Sequence, residues 1–68
     1  MTNKPDYTVH TALNTNGCTI ELRKHFNLDY SVYTKDAKGV ETIHIRDNFT
    51  VARVRYMMEA ARLNQENH

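Results

Sequence analysis

Phe49-Thr-Val-Ala-Arg-Val-Arg-Tyr-Met-Met-Glu-Ala-Ala-Arg-Leu63 is the one stretch of this chain that carries an uninterrupted helical signal. It contains neither Gly nor Pro, and Ala, Met, Arg, Leu and Glu are good helix formers. At about 100° per residue, Val51, Val54, Met57, Met58 and Ala61 share a sector about 120° wide, enough to cover a small core. This stripe is expected to face the rest of the fold. Asp47, Asn48 or Thr50 offers a short acceptor for the unpaired first N–H groups, with Asp47 or Asn48 preferred. Arg62 complements the negative end of the helix dipole.

A second apolar set, Phe49, Tyr56, Ala60 and Leu63, falls almost opposite the first. Arg55, Glu59 and Arg62 separate the two stripes on one flank, Arg53 and Asn64 on the other. A helix on one sheet needs only one oily face. Either Phe49 and Leu63 fold back onto loops, or the second stripe meets a partner or another copy of the chain. The second reading makes Phe49, Arg53, Arg55, Tyr56, Ala60 and Leu63 the candidate partner-binding residues, with aromatic and Arg anchors typical of interfaces.

Upstream of the helix the period is two. Tyr7, Val9, Thr11 and Leu13 alternate with Thr8, His10 and Ala12, and Asn16-Gly17 then gives the strongest short hairpin signal. Cys18, Ile20, Leu22 and Phe26 continue on the apolar side, with Lys24 as an intruder. A two-residue turn sets Leu13 opposite Ile20, Thr11 opposite Leu22 and Tyr7 opposite Phe26. Asn27-Leu28-Asp29 turns the chain into Tyr30–Lys35, and Asp36-Ala37-Lys38-Gly39 turns it again into a fourth strand, Val40 to Arg46. A two- or four-residue loop there pairs Val32 with Ile43 and Tyr30 with Ile45. A three-residue loop pairs Val32 with His44, and burial of the oily side favours the former. The expected class is α+β, a four-stranded antiparallel meander in the order ββββα, with the C-terminal helix on one face. One domain spans residues 7–63, between a disordered tail at 1–6 and a frayed end at 64–68.

Sixty-eight residues bound the answer to one small domain. A chain of this size buries only about 60% of its unfolded surface, so a dimer interface would add needed stability. Nine basic and eight acidic residues leave a net charge of +1, which supplies no global attraction to nucleic acid or anionic membrane. Cys18 is the single cysteine, so an internal disulfide is impossible and a cytoplasmic location is expected. The first residues lack an apolar core of a signal peptide, and no run is long enough to span a membrane. Asn48-Phe49-Thr50 matches a glycosylation sequon, which in an unsecreted protein is chance.

With only Gly17 and Gly39, the chain cannot hold a P-loop or a dinucleotide fingerprint. C-x-x-C, H-E-x-x-H and EF-hand patterns are absent, and Ser31, the sole serine, has no nucleophile-elbow context. No cofactor, metal or catalytic residue is therefore assigned. By parity His10, His25 and His44 share the polar sheet face, with Arg23 opposite His10; they are expected to be solvated rather than a metal site. Cys18 by the same parity faces the core, away from these histidines. His10, Arg23, His25, Tyr33, Lys35 and His44 together form an alternative surface for single-stranded nucleic acid, although Tyr33 is its only stacking aromatic and Glu21 and Glu41 dilute its charge.

The functional expectation is a small non-enzymatic protein-binding module, with a homodimer through the outer helix face as one form of it. Very short, cysteine-poor, motif-free chains are common among phage and mobile-element accessory proteins. Some of these, anti-CRISPR proteins among them, inhibit by occupying a surface of a host protein. The analogy is one of size and style and rests on no residue motif.

Overall fold

A computed structural model describes residues 6–65. Residues 1–5 and 66–68, where most of the two expected tails fall, lie outside the described residues. Four strands, β1 (Tyr7–Thr15), β2 (Cys18–His25), β3 (Tyr30–Lys35) and β4 (Glu41–Asp47), precede one helix, α1 (Phe49–Gln65). They form an open antiparallel sheet in the order β1-β2-β3-β4, with α1 packed on one face. The architecture is the α+β meander, ββββα. The helix runs two residues beyond Leu63, to Gln65.

The turns follow from their residues. Asn16 (φ 54°) and Gly17 (φ 78°) both adopt positive φ, the requirement of a two-residue turn that matches strand twist. Leu13 consequently pairs with Ile20 and Thr11 with Leu22. Between β3 and β4, the Asp36 N–H donates to the Val40 carbonyl (3.0 Å), which leaves a three-residue loop. Gly39 (φ 90°) supplies its left-handed residue, and the Asp36 carboxylate accepts from the N–H groups of Lys38 and Val40 at 2.9 Å each.

That loop length corrects the expected register. Tyr33 pairs with Ile43, which would carry Val32 onto His44; a bulge at His44 absorbs one residue, so Val32 meets Ile45 and Tyr30 meets Asp47. Ile45 thus packs on the core, while Ile43, beside Tyr33, lies 54% exposed on the far face. A second bulge at His10 does the same in β1. Tyr7 pairs with His25 and Val9 with Arg23, instead of Tyr7 with Phe26 and Arg23 with His10. Phe26 belongs to the β2–β3 turn and is exposed.

Asn48 alone links β4 to α1. Its Oδ1 accepts from the Val51 N–H at 2.9 Å, the N-cap bond, and its carbonyl accepts from the Ala52 N–H at 3.0 Å. So short a link fixes the rotation of the helix. Phe49 is turned against the rings of Tyr30 (5.0 Å between centroids) and His10 (5.6 Å). Ala52 and Leu63 are then buried against Ile20, Leu22 and Val32, with Tyr56 and Ala60 packed beside them. The two helix stripes have exchanged roles relative to the sequence expectation. Ala52 and Ala60 allow close approach to the sheet, and Phe49 and Tyr56 bring the larger apolar area. Val51, Val54, Met57, Met58 and Ala61 face outward.

Candidate docking surface on the helix

Four large apolar side chains stand on the outer side of α1: Val51 (39% exposed), Val54 (51%), Met57 (53%) and Met58 (60%). With Ala61 they repeat at three- and four-residue intervals, so they form one continuous stripe with no charged residue inside it. Isolated surface apolar residues are ordinary; a contiguous row of them is a candidate interaction surface. Methionine adds a side chain that adapts to the shape of what it meets.

The stripe has a basic border. On the β4 side, Arg55 and Arg62 both bind Glu59. Arg55 Nε donates to Oε2 at 3.0 Å, and Arg62 Nε and Nη2 donate to Oε1 at 3.0 and 2.7 Å. His44 Nδ1 lies 3.8 Å from the same carboxylate, and His44 Nε2 is 2.7 Å from the Thr34 hydroxyl. Two guanidinium groups thus share one carboxylate, and Arg53 is exposed on the opposite flank. Burial pushes the Glu59 carboxyl upward, but the hydrogen bonds from Arg62 and Arg55 and the charge of His44 outweigh it and hold the group below its ordinary value.

A carboxylate with a lowered folded pKa stabilises the fold above its unfolded value, and that stabilisation disappears as pH falls through the folded one. Glu59→Gln should therefore cost about 1–3 kcal/mol at neutral pH, the range for charge-assisted hydrogen bonds. It should also flatten the acid limb of stability below about pH 4.5, the ordinary value at which a free Glu is half protonated. Urea titrations across pH 3–7 compare the two proteins. Equal stability at pH 7 would remove the role assigned to this cluster.

Thr34, His44 and Glu59 follow the order hydroxyl, imidazole, carboxylate beside a cleft of about 190 Å³ that Cys18 and Arg62 also line. Parity placed Cys18 and His44 on opposite faces; the bulge brings them to the same side. The separation of 3.8 Å is too long for a hydrogen bond to Nδ1, and the carboxylate is committed to two guanidinium groups. The cluster ties β3 and β4 to α1.

The sequence-predicted partner residues are divided by the fold. Leu63 is buried, Tyr56 and Ala60 are partly buried against the sheet, and Phe49, though 39% exposed, packs on Tyr30, so these four do not form one continuous outer face. Arg53 and Arg55 remain at the borders of the outer stripe. The apolar residues that do face outward were assigned to the core by sequence. β4 runs one residue past the expected Arg46, to Asp47, and the one-residue link this leaves commits Phe49 to the sheet.

The alternative nucleic-acid face is divided too. Arg23, His25, Tyr33 and Lys35 lie on the uncovered sheet face, whereas the bulges turn His10 and His44 to the helix side. The three histidines are therefore not brought together, and among the described residues no group of three His, Cys, Asp or Glu could hold a metal ion. The Arg23 guanidinium lies 3.7 Å from the Tyr33 ring centroid and 4.2 Å from that of Tyr7, and Arg23 Nε donates to Glu21 Oε1 at 2.8 Å. Tyr33 is buried, and burial together with Glu41 raises its phenol above the ordinary value. Its ring is covered from within, so no base can stack on that side. His25 Nε2 is 2.8 Å from the Ser31 hydroxyl and is likewise buried.

The chain matches no family model, no curated protein and no solved structure. Among the described residues no helix is long and apolar enough to cross a membrane.

Proposed function

We propose that this chain is a small non-enzymatic protein-binding module that lays the outer stripe of α1 into an apolar groove with an acidic rim. One observation carries the reading: an uncharged row of Val51, Val54, Met57 and Met58, each more than a third exposed, on a helix whose other side already covers the sheet. Helix-in-groove recognition uses anchors at this spacing. The exposed Arg53 on one border and Arg55 on the other select the charge of the groove's rim and favour association at low salt. Its small size and lack of catalytic motif fit an accessory or inhibitory protein, of the mobile-element kind, that acts by covering a surface of a host protein.

Immobilised protein incubated in lysate of the source organism tests this, with bound polypeptides compared between the wild type and the double variant Val54→Asp/Met58→Asp. The variant keeps its fold, since both positions face water, and two buried charges at the interface should weaken binding roughly 100-fold or more. A control, Val9→Asp on the uncovered sheet face, should bind as the wild type does. The proposal fails if the double variant retains the same partner as the wild type, or if the wild type retains none.

A further inference from the structure

We infer that β1 is a self-pairing edge: two copies of this chain join their β1 strands antiparallel about a two-fold axis at Leu13. The product is an eight-stranded sheet with both helices on one side. A sheet edge presents unpaired N–H and C=O groups, and proteins ordinarily protect it with charge, Pro or a bulge. The two edges here differ. β4 carries Glu41, Arg46 and Asp47, whereas Tyr7 to Thr15 contains no charged residue and no proline. The bulge at His10 interrupts β1, but Thr11 to Thr15 is a regular run of pairs.

The helix also leaves this side of the sheet open. Leu13 belongs to the helix-facing row yet is 42% exposed, and Thr11 beside it is exposed. A groove of about 310 Å³ runs between β1 and α1, lined by His10, Thr11, Phe49, Tyr56 and Met57 among others. A strand added to β1 would cover this row and carry its own helix towards the groove. A stable dimer buries about 800 Å² per copy. One strand edge does not reach that alone; Leu13 and the groove wall extend it.

The occupant is a second copy because the edge is self-complementary. With the axis at Leu13, this leucine meets its equivalent, Thr11 meets the second copy's Thr15, and Ala12 meets the second copy's Asn14. No like charges are opposed, and the directly opposite pairs on the helix side are leucine with leucine and threonine with threonine. The gain is also where it is needed, since only Ile20, Leu22, Val32, Ala52 and Leu63 make up the buried apolar cluster of the described residues. This inference rests on different residues from Val51, Val54 and Met58 of the docking stripe, which do not line the groove; Met57 alone belongs to both surfaces.

Sedimentation equilibrium reads the outcome. The wild type should sediment at twice its chain mass of 8.0 kDa. Leu13→Lys and Leu13→Glu should each sediment as monomers, and an equimolar mixture of the two should restore the dimer, because opposite charges then face across the axis. In wild-type protein, exchange of β1 amides should slow as concentration rises, a readout that needs no variant. Val54→Asp/Met58→Asp should leave the dimer intact. A wild type that is monomeric at millimolar concentration, a dimer that survives Leu13→Lys, or concentration-independent exchange in β1 overturns the inference. A dimer lost only in Val54→Asp/Met58→Asp also overturns it, and assigns self-association to the helix stripe instead.

Discussion

Ala52→Asp is expected to unfold the domain, while Met58→Asp on the same helix leaves its melting almost unchanged. Ala52 has no exposed surface and sits among Ile20, Leu22, Val32 and Leu63. An aspartate there must either bury a charge without a partner or push the helix off the sheet. Burial of an unpaired charge costs several kcal/mol. A 68-residue domain has a total stability of roughly 3–10 kcal/mol at 0.05–0.15 kcal/mol per residue, so little would remain. Met58 is 60% exposed, and a polar replacement there is expected to stay within about 0.5 kcal/mol. Thermal melts by circular dichroism decide the matter. Comparable melting of the two variants would mean that the helix is rotated away from the orientation described.

Ile20→Ala should be nearly as damaging. Ile20 is wholly buried on a central strand, at the centre of the contact between sheet and helix. Truncation of such a side chain removes its transfer energy and leaves a cavity, together about 2–5 kcal/mol. Among the described residues few other buried apolar side chains exist to share the loss, and a single helix cannot collapse far into the gap. Ile43→Ala makes the control, because Ile43 lies on the uncovered face and is 54% exposed. Urea midpoints should separate the two variants widely. An Ile20→Ala protein as stable as the Ile43→Ala protein would contradict the placement of the core.

The contrast between these two isoleucines marks the boundary of what the sequence discloses. Strand and helix positions follow from period, from Asn16-Gly17 and from the good helix formers after Asn48, and the Leu13–Ile20 register follows from the turn. The rotation of the helix does not. Phe49, Tyr56, Ala60 and Leu63 compete with Val51, Val54, Met57, Met58 and Ala61 on nearly equal terms, and hydrophobicity alone does not choose between opposite stripes. The choice came from a tertiary constraint, the single-residue link at Asn48, together with the small size of Ala52 and Ala60. The faces of His10, His44 and Ile43 were hidden for another reason. A bulge has no composition of its own, and counting by twos through one reverses every side chain beyond it. Asp36 and Gly39 did carry a clue, since a side-chain cap and a left-handed glycine suit a three-residue loop, which demands compensation further along β4.

In both border strands the histidine is supernumerary. Loss of one codon, at position 10 or at position 44, would leave every other cross-strand partner in place, because the neighbouring pairs already advance as if that residue were missing. In most strands such a lesion exchanges inside for outside along everything that follows. Here it would shorten a border and leave the ladder whole. The strand ladder therefore does not need the two imidazoles, and what they add, contact with Phe49 and with Thr34 and Glu59, can be gained or shed in a single genetic step.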